Sequence, residues 1–292
     1  MRTIVVHMTI FTEWTRDDAA RWISVPGPDD DKYSRGVLGV ITGSARYPGA
    51  AVLGVEAALR TGVGMVRYIG PERAADLVLQ RRPEAVNSPG RVQAWLIGSG
   101  MDHDDRDAET QARGTDAIAQ SLPTILDGGA LDLIGDATGP VTITPHFREL
   151  ARLWLGHGTS SESRSVSALT AAIAAEPSVW AERAAKAWGV TVLLKGHETW
   201  IAAPGDVALV TRSAPSWLAT AGAGDALGGI LGALVATHSS QAHEAGVMAR
   251  LAATASVIHG LAAERASAGG PCTILDLAAH TSGVVTELVR DR

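Results

Sequence analysis

The loop Ala219-Thr220-Ala221-Gly222-Ala223-Gly224-Asp225 runs directly into the apolar segment 226–236, which has the composition of a buried helix. Gly222 and Gly224 lack a Cβ, so the backbone bends tightly there and a ligand can approach it closely. The N–H groups at such a helix start have no intrahelical partner and carry partial positive charge. We therefore predict a phosphate site at this helix start, with Asp225 beside it as a general base.

Segments typical of strands alternate with segments typical of helices along the rest of the chain. Predicted strands cover 37–42, 64–69, 94–97, 124–126, 141–144, 191–194, 200–203 and 207–211, and predicted helices cover 50–60, 71–80, 107–120, 147–155, 167–175, 178–188, 225–237, 241–264 and 274–289. The turn Pro204-Gly205-Asp206 predicts a hairpin between the last two strands. Alternation of this kind predicts the α/β class, as a three-layer α/β/α sandwich with a mostly parallel central sheet.

The chain is predicted to contain one domain. Residues 1–35 are predicted to form an N-terminal leader segment that is polar from residue 13 and contains a short helix near 16–22. A loop is predicted at 156–164. Residues 36–292 are predicted to form a single catalytic domain. Met1 and Met8 are both candidate start residues, and the sequence does not choose between them.

Composition excludes several classes of function. The 292 residues are 46% hydrophobic and 19% charged, as in ordinary globular proteins. The net charge of −6 and the pI near 5.8 argue against nucleic acid as a partner. Cys272 is the single cysteine, so no internal disulfide or cysteine metal cluster is expected, and no metal-ligating residue is predicted. The lack of a long apolar run or a secretory signal predicts no membrane partner and a cytoplasmic location.

Small or reactive residues follow five of the predicted strands. They are Gly43-Ser44, Gly98-Ser99-Gly100, Asp127, Pro145-His146 and Lys195-Gly196. In parallel sheets the carboxyl ends of the strands meet at one edge, and ligands bind there. The five motifs therefore predict one ligand-binding rim on one domain.

Each motif also has a plainer interpretation that the residues alone leave open. Asp225 is consistent with a favourable charge in a first helical turn. Residues 43–51 are consistent with an ordinary strand-to-helix turn. His146 is consistent with a polar surface residue at a helix start, and Lys195 with a solvated lysine on a β-turn.

Taken together, the motifs resemble those of the ADP/ATP-dependent NAD(P)H-hydrate dehydratases of the ribokinase-like superfamily. The resemblance runs from about residue 13 to the end, and the motifs occur in the order found in the family: 32–36, 43–51, 97–100, 126–127, 144–146 with Glu149 and Leu153, 195–199, and 218–225. Many relatives carry an epimerase domain ahead of the dehydratase. The first 35 residues leave no room for one, so the chain resembles the stand-alone form.

The resemblance implies a lyase that repairs hydrated NADH and NADPH. ADP, or ATP, would donate a phosphoryl group with Mg²⁺ bound to the nucleotide, and the products with ADP would be NAD(P)H, AMP and phosphate. Asp225 would be the catalytic base and would contact the hydrated nicotinamide. The implied nucleotide site consists of Lys195, Gly196, His197, Glu198, Thr199, Gly222, Ala223 and Gly224, and the implied contacts to the hydrated dinucleotide are Ala50, Gly100 and His146. The family resemblance also implies a homo-oligomer, specifically a tetramer.

The sequence departs from the family pattern at three places. Ser99 stands where many relatives have proline, Gly128-Gly129 replaces an acidic or Ala-Asp pair, and 213–217 replaces an Asn/Gly-rich segment. The last two departures leave the contacts at those points open, but not the chemistry. Two other functions also stay open: a small-molecule kinase of the same superfamily, acting on a vitamin precursor or sugar alcohol, and a catalytically silent nucleotide-binding protein. The sequence does not choose between ADP and ATP, or between the two hydrated dinucleotides.

Overall fold

The structure is a computed structural model that describes residues 10–102, 106–157, 165–205 and 207–292. The two candidate start residues, Met1 and Met8, lie outside the described residues. So do Asp206 of the predicted hairpin turn and residues 158–164 of the predicted loop.

The described residues form strands and helices in alternation. The strands are β1 (Thr12–Glu13), β2 (Val37–Ile41), β3 (Met65–Tyr68), β4 (Ala94–Ile97), β5 (Thr124–Leu126), β6 (Val141–Ile143), β7 (Thr191–Leu194), β8 (Thr199–Ala203) and β9 (Val207–Thr211). The helices are α1 (Arg16–Ala20), α2 (Gly49–Thr61), α3 (Glu72–Arg81), α4 (Ala108–Ile118), α5 (Phe147–Gly156), α6 (Val166–Ala175), α7 (Pro177–Trp188), α8 (Ala223–Thr237), α9 (Val247–Ser267) and α10 (Ile274–Arg290). Two 3₁₀ segments, Gly128–Asp136 and Ser216–Leu218, complete the regular structure of this part of the chain.

All the described strands belong to one sheet, in the order β1-β9-β8-β7-β6-β5-β4-β2-β3. Among them, β8 alone runs antiparallel to its neighbours, because the predicted hairpin joins it to β9. The remaining pairs are parallel. The predicted mostly parallel sheet is confirmed.

Helices cover both faces of the sheet, so the predicted three-layer sandwich is also confirmed. Because successive strand side chains point to opposite faces, β2 contributes to two cores. Leu38 and Val40 pack into the core formed with α2, α3 and α8–α10, and Val37 and Ile41 pack into the core formed with α4–α7.

Helix α8 is deeply buried in the first core. Residues 226–236 are all buried, as the apolar sequence predicts. Gly229 faces the carbonyl oxygen of Gly54, and a Cβ at Gly229 would overlap that oxygen. Helices α2 and α8 therefore touch backbone to backbone, which fixes where the N-terminus of α8 meets the sheet.

Part of the predicted leader packs onto the domain. Thr12 pairs with Leu209 in the sheet, and the indole Nε1 of Trp14 donates to Thr254 Oγ1 at 3.1 Å. At the other end of the chain, Arg292 donates to the carbonyl oxygens of Ala20 and Ile23. The sequence does not predict β1, because a two-residue strand has no periodicity to detect. The division between leader and domain at residue 35 stays a prediction.

The predicted helix 241–264 begins later than expected. Gly246 adopts φ +76° immediately before Val247, and residues 239–246 form turns instead of a first helical turn. Within the described residues, none of the helices combines the length and the apolar character needed to cross a membrane.

Candidate active site

A buried carboxylate at the end of β5 accepts hydrogen bonds from side chains at three neighbouring strand ends. Asp127, after β5, accepts hydrogen bonds from Ser99 Oγ after β4 at 2.7 Å and from Thr144 Oγ1 after β6 at 2.6 Å. Lys195 Nζ, after β7, donates to it at 2.8 Å. The strand order β4-β5-β6-β7 brings these residues together although 68 positions separate Asp127 from Lys195.

Asp127 and Lys195 hold each other in the charged form. Burial opposes the ionisation of Asp127, but the Lys195 ammonium and the three hydrogen bonds outweigh it, so the pKa of Asp127 lies below its ordinary value. Burial likewise opposes the charge on Lys195, but Asp127, Glu149 and Asp225 outweigh it and raise the pKa of Lys195. The site therefore holds a charged lysine in a largely dry setting.

Asp225 lies in the first turn of α8 and faces the same cluster. Burial, followed by the nearby charge of Asp127, raises the pKa of Asp225 to about 6, against the opposing effects of Lys195 and the Ser99 hydroxyl. A carboxylate with a pKa near 6 is ionised at neutral pH and is a far better base than an ordinary aspartate. The residue predicted as a general base is thus a partly buried carboxylate with a raised pKa.

The helix start beside Asp225 is arranged to receive an anion. Gly222 precedes α8 with φ +91°, and a Cβ there would lie 2.5 Å from Leu53 Cδ1, so glycine alone fits without rearrangement. No described side chain caps α8. The N–H of Ala223 donates to the Thr220 carbonyl oxygen at 3.4 Å, and the next N–H groups lie at an uncapped helix start. A Cβ at Gly224 would lie 3.4 Å from Lys195 Nζ, which places the ammonium over the same helix start.

The predicted nucleotide segment 195–199 lies along one side of this helix start. Lys195 N donates to the Pro145 carbonyl oxygen at 2.9 Å, which joins the ends of β6 and β7. Gly196 packs on the ring of Phe147, and Thr199 begins β8 as a buried residue. His197 is exposed, and Glu198 accepts from Arg212 Nε at 2.6 Å.

His146 caps helix α5. Its Nδ1 accepts from the backbone N–H groups of Arg148 and Glu149, and Glu149 Oε2 accepts from the backbone N–H of His146 at 2.7 Å. The imidazole is half-exposed, and Nε2 lies 3.6 Å from Glu149 Oε1. The plainer interpretation of a polar residue at a helix start therefore describes Nδ1, while Nε2 lies near the Glu149 carboxylate.

Ala50 and Gly100, two of the predicted contacts to the dinucleotide, touch each other. Gly100 adopts φ +68°, and a Cβ there would overlap the Ala50 side chain. Gly43 N donates to the Ser99 carbonyl oxygen at 2.7 Å, so the ends of β2 and β4 are joined next to them. The result is a closely packed backbone patch at the ends of β2 and β4.

The sequence assigned no role to Asp127, Thr144 or Glu149, although all three belong to motifs noted above. The available signal was their position, because a polar residue directly after an apolar strand in a parallel sheet lies on the ligand-binding edge. The hydrogen bonds among them depend on which strand ends are neighbours, and that requires the sheet order.

A cavity of about 800 Å³ opens beside Glu149, between the residues that follow β4 and β5 and helix α5. Gly128, Gly129, Met101 and His157 lie in its wall. Among the residues that the structure describes, no group of three or more His, Cys, Asp or Glu side chains is placed to hold a metal ion.

A family model described as NAD(P)H-hydrate dehydratase matches residues 38–279. The chain belongs to the NAD(P)H-hydrate dehydratase family. A bifunctional NAD(P)H-hydrate repair enzyme Nnr of Mycobacterium tuberculosis is 40% identical to it over 245 residues, which are 80% of this chain and 47% of the relative. An ADP-dependent (S)-NAD(P)H-hydrate dehydratase of Xanthomonas campestris is 30% identical over 240 residues, which are 75% of this chain and 78% of the relative. The chain thus spans about half the length of the bifunctional relative.

Solved structures confirm the ribokinase-like fold expected for this NAD(P)H-hydrate dehydratase family member. The ADP/ATP-dependent NAD(P)H-hydrate dehydratase of Bacillus subtilis superimposes with a TM-score of 0.80 at 23% identity, covering 96% of this chain and 100% of that one. A ribokinase-like superfamily protein of Enterococcus faecalis superimposes with a TM-score of 0.77 at 21% identity, covering 96% and 97%.

Proposed function

We propose that this protein is an ADP-dependent dehydratase that converts hydrated NADH and NADPH to NADH and NADPH. The observation that carries the proposal is the Asp225 carboxylate, with a pKa of about 6, at an uncapped helix start under the Lys195 ammonium. Family membership supports it, as do the names of the Mycobacterium and Xanthomonas relatives. The Bacillus protein was co-crystallised with ATP and Mg²⁺, which supports nucleotide use.

In this proposal the terminal phosphoryl group of ADP lies at the start of α8. The N–H groups of Gly222 and Gly224 and the ammonium of Lys195 stabilise its charge. The segment Gly196–Thr199 holds the rest of the nucleotide. Lys195 is held ready by Asp127 and Glu149, which keep it charged without a bound ligand.

The hydrated dinucleotide lies on the backbone patch formed by Ala50 and Gly100, with His146 Nε2 on the opposite side of the rim. The cavity beside Glu149 gives room for a substrate that is longer than a vitamin precursor or a sugar. This length is the feature that favours the dehydratase over a small-molecule kinase.

Asp225 removes the proton from the ring hydroxyl as that oxygen attacks the terminal phosphorus of ADP. The bond from phosphorus to the AMP oxygen breaks, and AMP leaves. Phosphate is a far better leaving group than hydroxide. The lone pair of the ring nitrogen expels it, and loss of a proton from the adjacent ring carbon restores the dihydronicotinamide.

The carboxylates of the rim fit a magnesium ion only when the nucleotide carries it. Asp127 is already engaged by Lys195, Ser99 and Thr144, and Glu149 accepts from the His146 N–H. The phosphates would therefore supply most of the oxygen ligands that Mg²⁺ requires. Bound there, the ion would neutralise charge on the transferred group.

Incubation with ADP, Mg²⁺ and hydrated NADH tests the proposal. We expect absorbance at the reduced-nicotinamide band to grow, with AMP and phosphate released in equal amounts. A stable phosphorylated product without reduced nicotinamide would replace the dehydratase by a kinase. No consumption of ADP with either class of acceptor would leave a silent nucleotide-binding protein.

Assembly and location extend the same proposal. We propose the tetramer implied by the family resemblance, which sedimentation velocity would test, and a cytoplasmic location, which fractionation of the producing cells would test.

A further inference from the structure

Ser99 lies between two carboxylates of the site. The residue is 1% exposed, and its Oγ donates to Asp127 Oδ2 at 2.7 Å. The same hydroxyl also acts on the Asp225 carboxylate, whose pKa it lowers. Gly228 lies three positions after Asp225 on the same face of α8, and a Cβ there would be 3.6 Å from Ser99 Oγ. This face of α8 is therefore turned toward Ser99.

A serine hydroxyl carries one proton, so it donates to one of the two carboxylates at a time. Asp127 keeps its bonds from Thr144 Oγ1 and Lys195 Nζ when the serine proton turns away. Lys195 favours the ionised form of Asp225, but burial and the charge of Asp127 oppose its ionisation. A hydrogen bond from the Ser99 hydroxyl therefore stabilises ionised Asp225 more than it stabilises Asp127.

We propose that Ser99 is a positioning residue for the Asp225 base, whose hydroxyl turns from Asp127 to Asp225 and holds that carboxylate ionised and oriented toward the substrate hydroxyl. This inference rests on the proposed function, in which Asp225 accepts the substrate proton. Once Asp225 has taken that proton, the hydroxyl of Ser99 returns to Asp127. Ser99 neither gains nor loses a proton over the cycle.

Other ionisable groups lie on the elements around Ser99 and Asp225. Asp127, Lys195, Glu149 and His146 lie beyond the strand ends, and His259 of α9 lies near Ala223, where burial lowers its pKa to about 4. On α2, Glu56 is bound by Arg60, Arg81 and Arg82. Because these groups lie around Asp225, the measurement must report on Asp225 itself.

The test is a titration of protein labelled with ¹³C at the aspartate carboxyl carbons. The Asp225 signal is assigned by its loss in Asp225→Asn. In Ser99→Ala, we expect the Asp225 midpoint to rise by about one pH unit, since one hydrogen bond to a charged group is lost. The pKa on the acid side of the pH profile of kcat/KM should rise by the same amount. Ser99→Thr keeps a hydroxyl and should restore both.

Thr144→Val is the matched control, because it removes the other hydroxyl from Asp127 and leaves Ser99 in place. We expect the Asp225 midpoint to move much less than in Ser99→Ala, because Ser99 can still donate to Asp225. Ser99→Cys has a weaker donor and should shift the midpoint upward, so it serves if the alanine variant does not fold.

An Asp225 midpoint that is unchanged in Ser99→Ala, or that moves equally in Thr144→Val, would overturn the inference. The titration needs no turnover. A protein without dehydratase activity would therefore contradict the proposed function, while the midpoints would still decide the role of Ser99.

Discussion

At the scale of single residues, Asp225 carries the proposed chemistry. In Asp225→Asn we expect kcat to fall by about 10²- to 10⁴-fold, because a general base is lost. Nucleotide affinity should change little, since Lys195 and the α8 N–H groups remain. Steady-state kinetics and ADP titration calorimetry measure the two effects. Turnover within a factor of about three of the wild type would remove Asp225 from the role of base.

The same substitution should change stability in a pH-dependent way. The pKa of Asp225 is raised from 3.8 to about 6, so its contribution to stability is full below pH 4 and is lost as the pH rises through 6. The loss amounts to about 3 kcal/mol. Asp225→Asn should therefore unfold at a higher temperature than the wild type at pH 8 and at nearly the same temperature at pH 4. Equal melting temperatures at both values of pH would show that Asp225 has an ordinary pKa.

Lys195 has a structural and a proposed catalytic role, which variants can separate. In Lys195→Ala we expect the KM for ADP to rise more than that for the hydrated dinucleotide. The variant also leaves Asp127 buried without its ion-pair partner, at a cost of about 3–5 kcal/mol. The double variant Lys195→Ala, Asp127→Asn should regain much of that stability without regaining ADP affinity. Equal effects on both substrates would assign Lys195 to the ion pair alone.

The sequence predicts much of this site, though not its internal connections. Asp225, Lys195 and Gly222 are recognisable because each follows a strand or opens a helix. The bonds from Ser99, Thr144 and Lys195 to Asp127 are not recognisable, because they join four separate strand ends. Which donor meets which carboxylate depends on the sheet order and on side-chain direction, and neither is written in local sequence.

At the scale of secondary-structure elements, the contact between α2 and α8 sets the position of the helix start. Gly229→Ala would place a methyl group on the Gly54 carbonyl oxygen, so the helices must move apart. We expect a loss of about 1–3 kcal/mol in unfolding free energy and a reduced kcat. Chemical denaturation and kinetics measure both. Gly156→Ala is the matched control, because nothing lies within 4 Å of a Cβ there. A fully stable Gly229→Ala would contradict the tight contact.

Elements with strong periodicity, or with clear terminating residues such as glycine and proline, were predictable to within one or two residues, as for β4, β5 and α2. The exceptions have physical causes. Strand β1 is too short to show a pattern, and its position depends on a free edge of β9. The start of α9 depends on the left-handed conformation of Gly246, which sequence alone does not distinguish from a glycine inside a helix.

At the scale of the whole molecule, the amino-terminal segment closes one edge of the sheet. Deleting residues 1–23 removes β1 and the contacts of Arg292, and exposes the backbone of β9. We expect the melting temperature to fall by roughly 5–10 °C and the protein to aggregate more readily. Deleting residues 1–9 is the control, because β1 stays in place. Equal stability of the two deletions would show that β1 contributes nothing.

The pairing of Thr12 with Leu209 also sets an order of events during synthesis. Strand β1 leaves the ribosome about 200 residues before its partner. It therefore stays unpaired while the seven described strands between it and β9 are translated. Contacts this distant in sequence are slow to form. A nascent chain would therefore expose the unpaired strand β1 until β9 has left the ribosome, and a chaperone would have most to protect during that interval.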